Sequence, residues 1–356
     1  MFSAVTLGQL ALANRIVMAP MTRSRADIDG VPTDMMEDYY RQRASAGLII
    51  SEGIAPCVSG LGYCRTPGLF NEAQVKAWSR VTAAVHAGGG RIVAQLMHVG
   101  RVASHLNRPE GGETVAPSGV PARGEIYSDQ MGMVPFDKPR RLRTGEIAWI
   151  VSDYRRATAN AYAAGFDGVE LHCASGYLPA QFLASGSNQR ADDYGGAVEN
   201  RCRFPLEVLA AMISVGGGGR VGLRICPDNP YNDHSDENPL ETFEYFLGQA
   251  AELDLAYLHT MRFPAGKVDN IALGQRFFGD RLIVNHGYDL AQGNAIIASG
   301  AASAVSFGRP YVANPDLVER FRTGAPLAQY DPDTLYAGGA QGYSDYPAMG
   351  DISPTL

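Results

Sequence analysis

The feature that most constrains this chain is a recurring unit, a short apolar run followed by a segment with the marks of a capped helix. The runs are Arg15–Ala19, Gly47–Ser51, Ile92–Met97, Gly168–His172, Val221–Ile225, Ala256–Thr260, Leu282–Asn285 and Ala304–Phe307, eight in all. Strands that are apolar on both faces and alternate with helices imply a parallel sheet covered by helices. The helix marks are specific. Thr144 can cap a helix whose apolar face is Ile147, Ile150, Val151, Tyr154, Ala157 and Ala161, with Gly165 as its stop. Asn238-Pro239-Leu240-Glu241 sets a cap, a proline at the first helical position and a carboxylate at the third, and Asn314-Pro315-Asp316 repeats that logic after the eighth run.

Eight such units predict an α/β chain folded as a (β/α)8 TIM barrel rather than an open doubly wound sheet. The open-sheet alternative calls for G-x-G-x-x-G after an early strand, and none follows the first run. The Gly216–Gly219 stretch precedes a strand and reads as a helix-to-strand turn. Phe2 to Asn14 alternates as a small β-hairpin would, placed to plug the bottom of the barrel. No linker divides the chain, so residues 1–356 are expected to form a single domain.

Composition removes other classes. A chain of 356 residues, 46% hydrophobic and 19% charged, is neither disordered nor low-complexity. The longest apolar run, Val208 to Ile213, falls far short of the ~20 residues that span a bilayer. A net charge of −7 without a basic stripe argues against a nucleic-acid partner. Met1 to Asn14 lacks the basic stretch and apolar core of an export signal. The five cysteines, Cys57, Cys64, Cys173, Cys202 and Cys226, contain no C-x-x-C pair and read as free thiols in a reducing compartment, so a cytoplasmic location is expected.

Barrels carry their functional groups at the C-terminal ends of the strands. Those ends offer Pro20-Met21-Thr22, Glu52-Gly53, Gln95-Leu96-Met97-His98, the stretch His172 to Tyr177, Arg224, His259, Asn285-His286-Gly287 and Gly308-Arg309. The last two are glycine-containing loops, with Arg309 as a charge, where barrels commonly hold a phosphate. Either could equally be a tight turn. A lone histidine at a strand end is usually a satisfied polar residue, but His172 and Tyr177 set two donors over one cavity, with Gln95 beside them. Glu170 reads as a packed, paired carboxylate. No carboxylate or cysteine is spaced with His172 for a first-row metal, so no metal site is expected.

At these residues the chain resembles the Old Yellow Enzyme family of FMN-dependent ene-reductases. The matching stretches run from Asn14 through Arg23, then Gly168 to His172 with Gly176-Tyr177-Leu178, Gln181-Phe182-Leu183, Ser187 to Arg190, Asp193 to Gly196 and Glu199-Asn200-Arg201. They end with Phe307 to Pro310, Ala313 to Leu317 and Gly342 to Pro347. The resemblance implies non-covalent FMN, reduced by NADPH or NADH, and a second half-reaction in which the C=C bond of an activated alkene takes hydride from flavin N5. The alkene would be an α,β-unsaturated carbonyl, with nitroalkenes or nitrate esters as further acceptors.

By the same resemblance, Pro20, Met21, Thr22, Gly53 and Gln95 bind the flavin, with Thr22 near its C4 carbonyl and Gln95 reading the pyrimidine edge. Arg224 is the cation beside the N1–C2=O locus, where reduction places negative charge. His286, Gly287, Gly308 and Arg309 hold the phosphate. His172 and Ser175 grip the substrate oxygen, Tyr177 protonates Cα, and Met97 and Tyr343 line the substrate site. The segment from Pro121 to Arg143 corresponds to a variable lid after the third strand. The expected partner is a small molecule, with the protein a monomer or homodimer.

Four departures stand out. Ser175 replaces the usual Asn or His, which implies a weakened grip on the substrate oxygen. Met97 replaces a frequent Trp and implies a roomier pocket. His286 replaces a frequent Gly, and Gly53, often Ala, implies looser packing near the flavin. Two other readings remain. One is a flavin-free barrel lyase or aldolase acting on a phosphorylated substrate, which wants a strand-end lysine that Lys76, Lys138 and Lys267 do not supply. The other is a poorly active relative that binds flavin or a phenol.

Overall fold

The computed structural model describes residues 1–351. Eight parallel strands close into a barrel: Ile16–Met18, Leu48–Ile54, Ile92–Leu96, Gly168–Cys173, Val221–Ile225, Tyr257–Met261, Leu282–Asn285 and Ala304–Phe307. Each falls on one of the expected runs. The second runs three residues further than expected because its register shifts between Ile50 and Gly53, a bulge that seats Gly53 opposite Gln95. The N-terminal hairpin, Val5–Leu7 paired antiparallel with Leu10–Leu12, closes the bottom. Its Leu7, Leu10 and Leu12 pack under Val17, Leu48, Ile50, Val93 and Ile283 from the strands above. Burying those leucines there removes apolar surface from water and stops the barrel at one end.

The helices follow their patterns with corrections at the caps. The helix after the third strand spans Thr144–Ala163 and buries Ile147, Ile150, Tyr154, Ala157 and Ala161 as expected. Its cap, however, is Arg143, whose N–H donates to the Glu146 carboxylate at 2.7 Å, while Thr144 Oγ1 donates to Asp192 at 3.0 Å. Asn238 caps Pro239–Ala251 without a side-chain bond. After the eighth strand the cap is Asp316, ahead of Leu317–Thr323, and not Asn314. A short helix, Arg309–Ala313, intervenes, and Asn314 instead ties it down by donating to Pro310 O at 2.8 Å and accepting from Ala328 N at 2.8 Å.

Two non-barrel segments cover the C-terminal end. Within residues 121–143, Glu125–Ser128 pairs with Gly132–Pro135 as an antiparallel hairpin. The segment 334–342 is held down by two buried arginines that follow Thr22. Arg23 donates to Gly342 O at 2.7 Å, and Arg25 donates to Thr334 O and Leu335 O, both at 2.8 Å.

Candidate active site

Strand register builds the site. Side chains two apart on a strand share a face, so Glu170 and His172 both point inward. Across the ladder Glu170 stands opposite Gln95, His172 opposite Arg224, Arg224 opposite His259, and Asn285 opposite Ser306. These inward residues form a buried polar belt below a single cavity of about 1430 Å³ at the C-terminal end.

Glu170 organises the belt. Its Oε1 accepts from Gln95 Nε2 at 2.7 Å and its Oε2 accepts from His259 Nδ1 at 3.0 Å. Burial pushes the carboxyl up, but His259, Arg224 and Gln95 together pull it below the ordinary range, so it stays ionised. His259 is held down to about 4 by burial and the Arg224 cation, so it meets Glu170 as a neutral donor and the countercharge to Glu170 is Arg224. The amide orientation of Gln95 follows: with Nε2 committed to Glu170, its Oε1 is left as an acceptor facing the cavity.

His172 has its proton placed in the same way. Nδ1 accepts the backbone N–H of Ala174 at 3.3 Å, which leaves Nε2 as the N–H donor toward the cavity. Burial, with Arg224 and His259 nearby, holds the ring well below the usual histidine range and keeps it neutral. Tyr177 meets His172 edge-on at 4.9 Å between ring centroids. Its hydroxyl is 3.1 Å from that of Tyr63, and burial raises both phenols, so each remains a proton-bearing group at neutral pH.

The turn between His172 and Tyr177 is strained. Ser175 adopts φ +58°, and Gly176 adopts φ +72° where a Cβ would come within 3.0 Å of Tyr231 O. Asn232, itself at φ +59°, donates to Ser175 O at 2.8 Å and lies against both tyrosine hydroxyls. Non-glycine residues in this region of backbone space persist where surrounding contacts over-determine them, commonly at functional sites.

At the opposite flank the seventh and eighth strands end in His286-Gly287 and Gly308-Arg309. His286 is at φ +76° and exposed. Arg262, just past the sixth strand, donates to Gly287 O at 2.5 Å and lies over the Tyr288 ring at 4.5 Å, which fixes this loop. The Arg309 guanidinium is exposed and has no partner among the described residues.

One cavity is lined by Pro20, Met21, Thr22, Gly53, Gln95, Met97, His172, Ser175, Tyr177, Arg224, His286, Gly287, Gly308 and Arg309. Tyr343 is the exception. It is fully buried, stacked on Tyr39 at 4.1 Å with Arg23 and Arg25 over its face, because those arginines draw the C-terminal segment in behind the cavity. Tyr336 of the same segment lines the cavity instead. The expected loosening at Gly53 is also corrected, since Met97 fills the space beside it. Sequence reasoning overlooked Tyr63 and Asn232, which sit in the loops after the second and fifth strands. Extending the strand-end search along those loops for hydroxyl and amide side chains would have found both.

The family described as NADH:flavin oxidoreductase / NADH oxidase matches residues 1–328. The chain is 42% identical over 357 residues to a probable flavin mononucleotide-dependent alkene reductase of Leishmania infantum, covering 98% of this chain and 97% of that protein. Among solved structures, morphinone reductase in complex with tetrahydroNAD superposes with a TM-score of 0.92 at 46% identity, over 98% of this chain and 97% of the other. The old yellow enzyme homologue from Zymomonas mobilis superposes with a TM-score of 0.93 at 40% identity, over 97% of this chain and 99% of the other.

Proposed function

The chain belongs to the NADH:flavin oxidoreductase / NADH oxidase family, and from that premise we propose how its own side chains carry out the FMN-dependent reduction of activated alkenes. It is an ene-reductase of the Old Yellow Enzyme type with FMN as cofactor and a reduced nicotinamide as electron donor. When bound, FMN supplies the hydride chemistry, taking two electrons from the nicotinamide and passing hydride to the β-carbon of the alkene.

The residues present fit that group. An acceptor, Gln95 Oε1, held near the Arg224 cation matches the imide edge of a flavin, where an N–H adjoins carbonyls. Thr22, whose hydroxyl lines the cavity with no partner among the described residues, adds a hydrogen bond at the ring. The unpaired Arg309, with the Gly287 and Gly308 backbone, takes the phosphate.

Substrate activation rests on His172. Its Nε2–H, fixed by the Ala174 bond to Nδ1, donates to the substrate carbonyl oxygen and draws charge from the double bond as hydride arrives at Cβ. Ser175 Oγ makes no hydrogen bond among the described residues and is a second donor to that oxygen. Tyr177 delivers a proton from its hydroxyl to Cα, and Tyr63, 3.1 Å away, holds that hydroxyl in place. The single observation that carries this reading is the His172–Tyr177 pair, one donor of assigned tautomer and one phenol sharing a cavity wall.

No lysine lines the cavity among the described residues, which removes the support a Schiff-base lyase would need. Five buried, unpaired cysteines support a cytoplasmic location. The acceptor class extends to nitroalkenes and nitrate esters, whose oxygens His172 can also hold, and the protein acts as a monomer or homodimer. The test is an anaerobic visible spectrum of the flavin-loaded protein. Bleaching by a reduced nicotinamide, with colour restored by 2-cyclohexenone, supports the reading. Bleaching without recovery refutes the alkene half.

A further inference from the structure

We infer that the cavity mouth selects NADH over NADPH, with Glu125 as the main specificity-determining residue. The inference rests on the reading above, in which a reduced nicotinamide enters this cavity. A nicotinamide ring seated beside His172 and Tyr177 leaves its adenosine half at the outer rim, because one continuous lining runs from Arg224 to exposed residues of the hairpin and the C-terminal segment. Rim residues Tyr127, Met133 and Tyr336 are 49%, 57% and 59% exposed and offer apolar faces to an adenine.

NADPH differs by a phosphate on that adenosine, which calls for a cation with free donors. Among the described residues the rim has none to give. Four arginines line the cavity, and Arg23 and Arg224 are buried and hydrogen-bonded within it. Arg65, at the rim, donates to Ser24 O at 3.0 Å and Tyr336 O at 2.8 Å and is ion-paired with Asp129. Arg309 is free but lies at the far flank, beside Gly308. Outside the lining, Arg123 is held by Asp233 at 2.7 Å, and Lys138 follows the hairpin without entering the cavity wall. Against this, the carboxylates of Glu125 and Asp333 line the exposed mouth with no ion-pair partner among the described residues. A 2′-phosphate would enter a rim of like charge.

The experiment uses the flavin-loaded full chain. Anaerobic flavin reduction is followed with NADH and NADPH at low and high salt, and affinities are read from flavin difference spectra with their non-reactive tetrahydro analogues. Expected are a kcat/KM and an analogue affinity at least tenfold better for the NADH series, and a gap that narrows as salt screens the rim. Glu125→Arg is expected to shift the NADPH-to-NADH ratio at least fivefold toward NADPH, and Asp333→Lys in the same direction by less. Equal or better use of NADPH by the unaltered protein overturns the inference alone. If neither nicotinamide bleaches a flavin that dithionite bleaches, the reductase reading falls and this inference with it.

Discussion

Met97 occupies the space that a side chain on Gly53 would need: a Cβ built at Gly53 would lie 2.6 Å from both the sulfur and the terminal methyl of Met97. The two positions therefore act as one. The bulge in the second strand brings Gly53 opposite Gln95, two residues before Met97, and the thioether folds into the gap. A flexible side chain has been accommodated by removing its neighbour's, so the pocket is not simply wider than one lined by a larger residue.

Gly53→Ala is thus expected to destabilise by about 1–3 kcal/mol through overpacking, and to be nearly neutral when Met97 is also Ala. Thermal unfolding of the two single variants and the double variant measures the coupling. Additive effects would show that the two side chains do not compete for one space. Met97→Trp, which cannot fold back in the same way, should change the enantiomer ratio of a prochiral product, and an unchanged ratio counts against Met97 as a wall of the substrate site.

Tyr177→Phe should leave flavin reduction by the nicotinamide intact and slow reoxidation by an enone by about 10²–10⁴-fold, the usual worth of a positioned general acid. Tyr63→Phe removes one hydrogen bond to that acid, worth ~1 kcal/mol, and should slow the same half-reaction by roughly fivefold. Stopped-flow traces of the two half-reactions separate these effects. An equal loss in both halves would reassign the tyrosines to flavin binding.

Ser175 stands at φ +58°, a conformation that asparagine accepts more readily than most residues. Ser175→Asn should therefore fold without loss, tighten a phenol ligand read from its long-wavelength flavin band, and raise enone turnover. Outright loss of one oxyanion donor costs about 2.7–4 kcal/mol, so replacing the short serine contact with a longer amide should recover a measurable part of that. No gain in either quantity would show that Ser175 already grips the oxygen as well as an amide does.

Glu170→Gln leaves one acceptor oxygen where Gln95 Nε2 and His259 Nδ1 each need one, and leaves the buried Arg224 without its countercharge. FMN should be held at least tenfold more weakly, measured as flavin fluorescence released on dilution, and the melting temperature should fall. Full retention of FMN would detach the belt from cofactor binding.

Glu52 supplies a pH dependence. Burial raises its carboxyl from 4.5 to about 7, although the Arg23 backbone and charge, Tyr40 and Arg25 all pull it down. The folded protein binds this proton more tightly than the unfolded chain, so its contribution to stability is complete at low pH and declines as pH rises through that interval. Glu52→Gln, which never ionises, should gain up to about 3 kcal/mol relative to the unaltered protein at pH 8 and almost nothing at pH 4.5. Melting curves at the two pH values decide it, and a gain of equal size at both would remove the titration from the explanation.

Much of this was legible in the residues. The eight strands fall on the apolar runs, and Val221–Ile225, Leu282–Asn285 and Ala304–Phe307 agree to the residue, because buried strands have a composition that local sequence displays. The strand-end residues follow from the same alternation: once Glu170 faces inward, so does His172. The caps were less legible. Asn314 has the side chain of a cap and yet ties the short helix Arg309–Ala313 to the loop at Ala328, since its partner there lies 14 residues on.

What the sequence by itself determined is therefore the barrel, read from eight apolar runs each followed by a helix pattern, its plug, and the ring of polar groups at its open end, read from where those runs stop. What only the tertiary structure decided is the pairing of side chains that meet across loops: Tyr63 with Tyr177, Asn232 with the Ser175 turn, Met97 in the space at Gly53, and Tyr343 withdrawn behind two arginines while Tyr336 faces the cavity. Loops have no period to read. Their side chains are placed by close packing and by the need of every buried donor for an acceptor, and both are properties of the assembled chain.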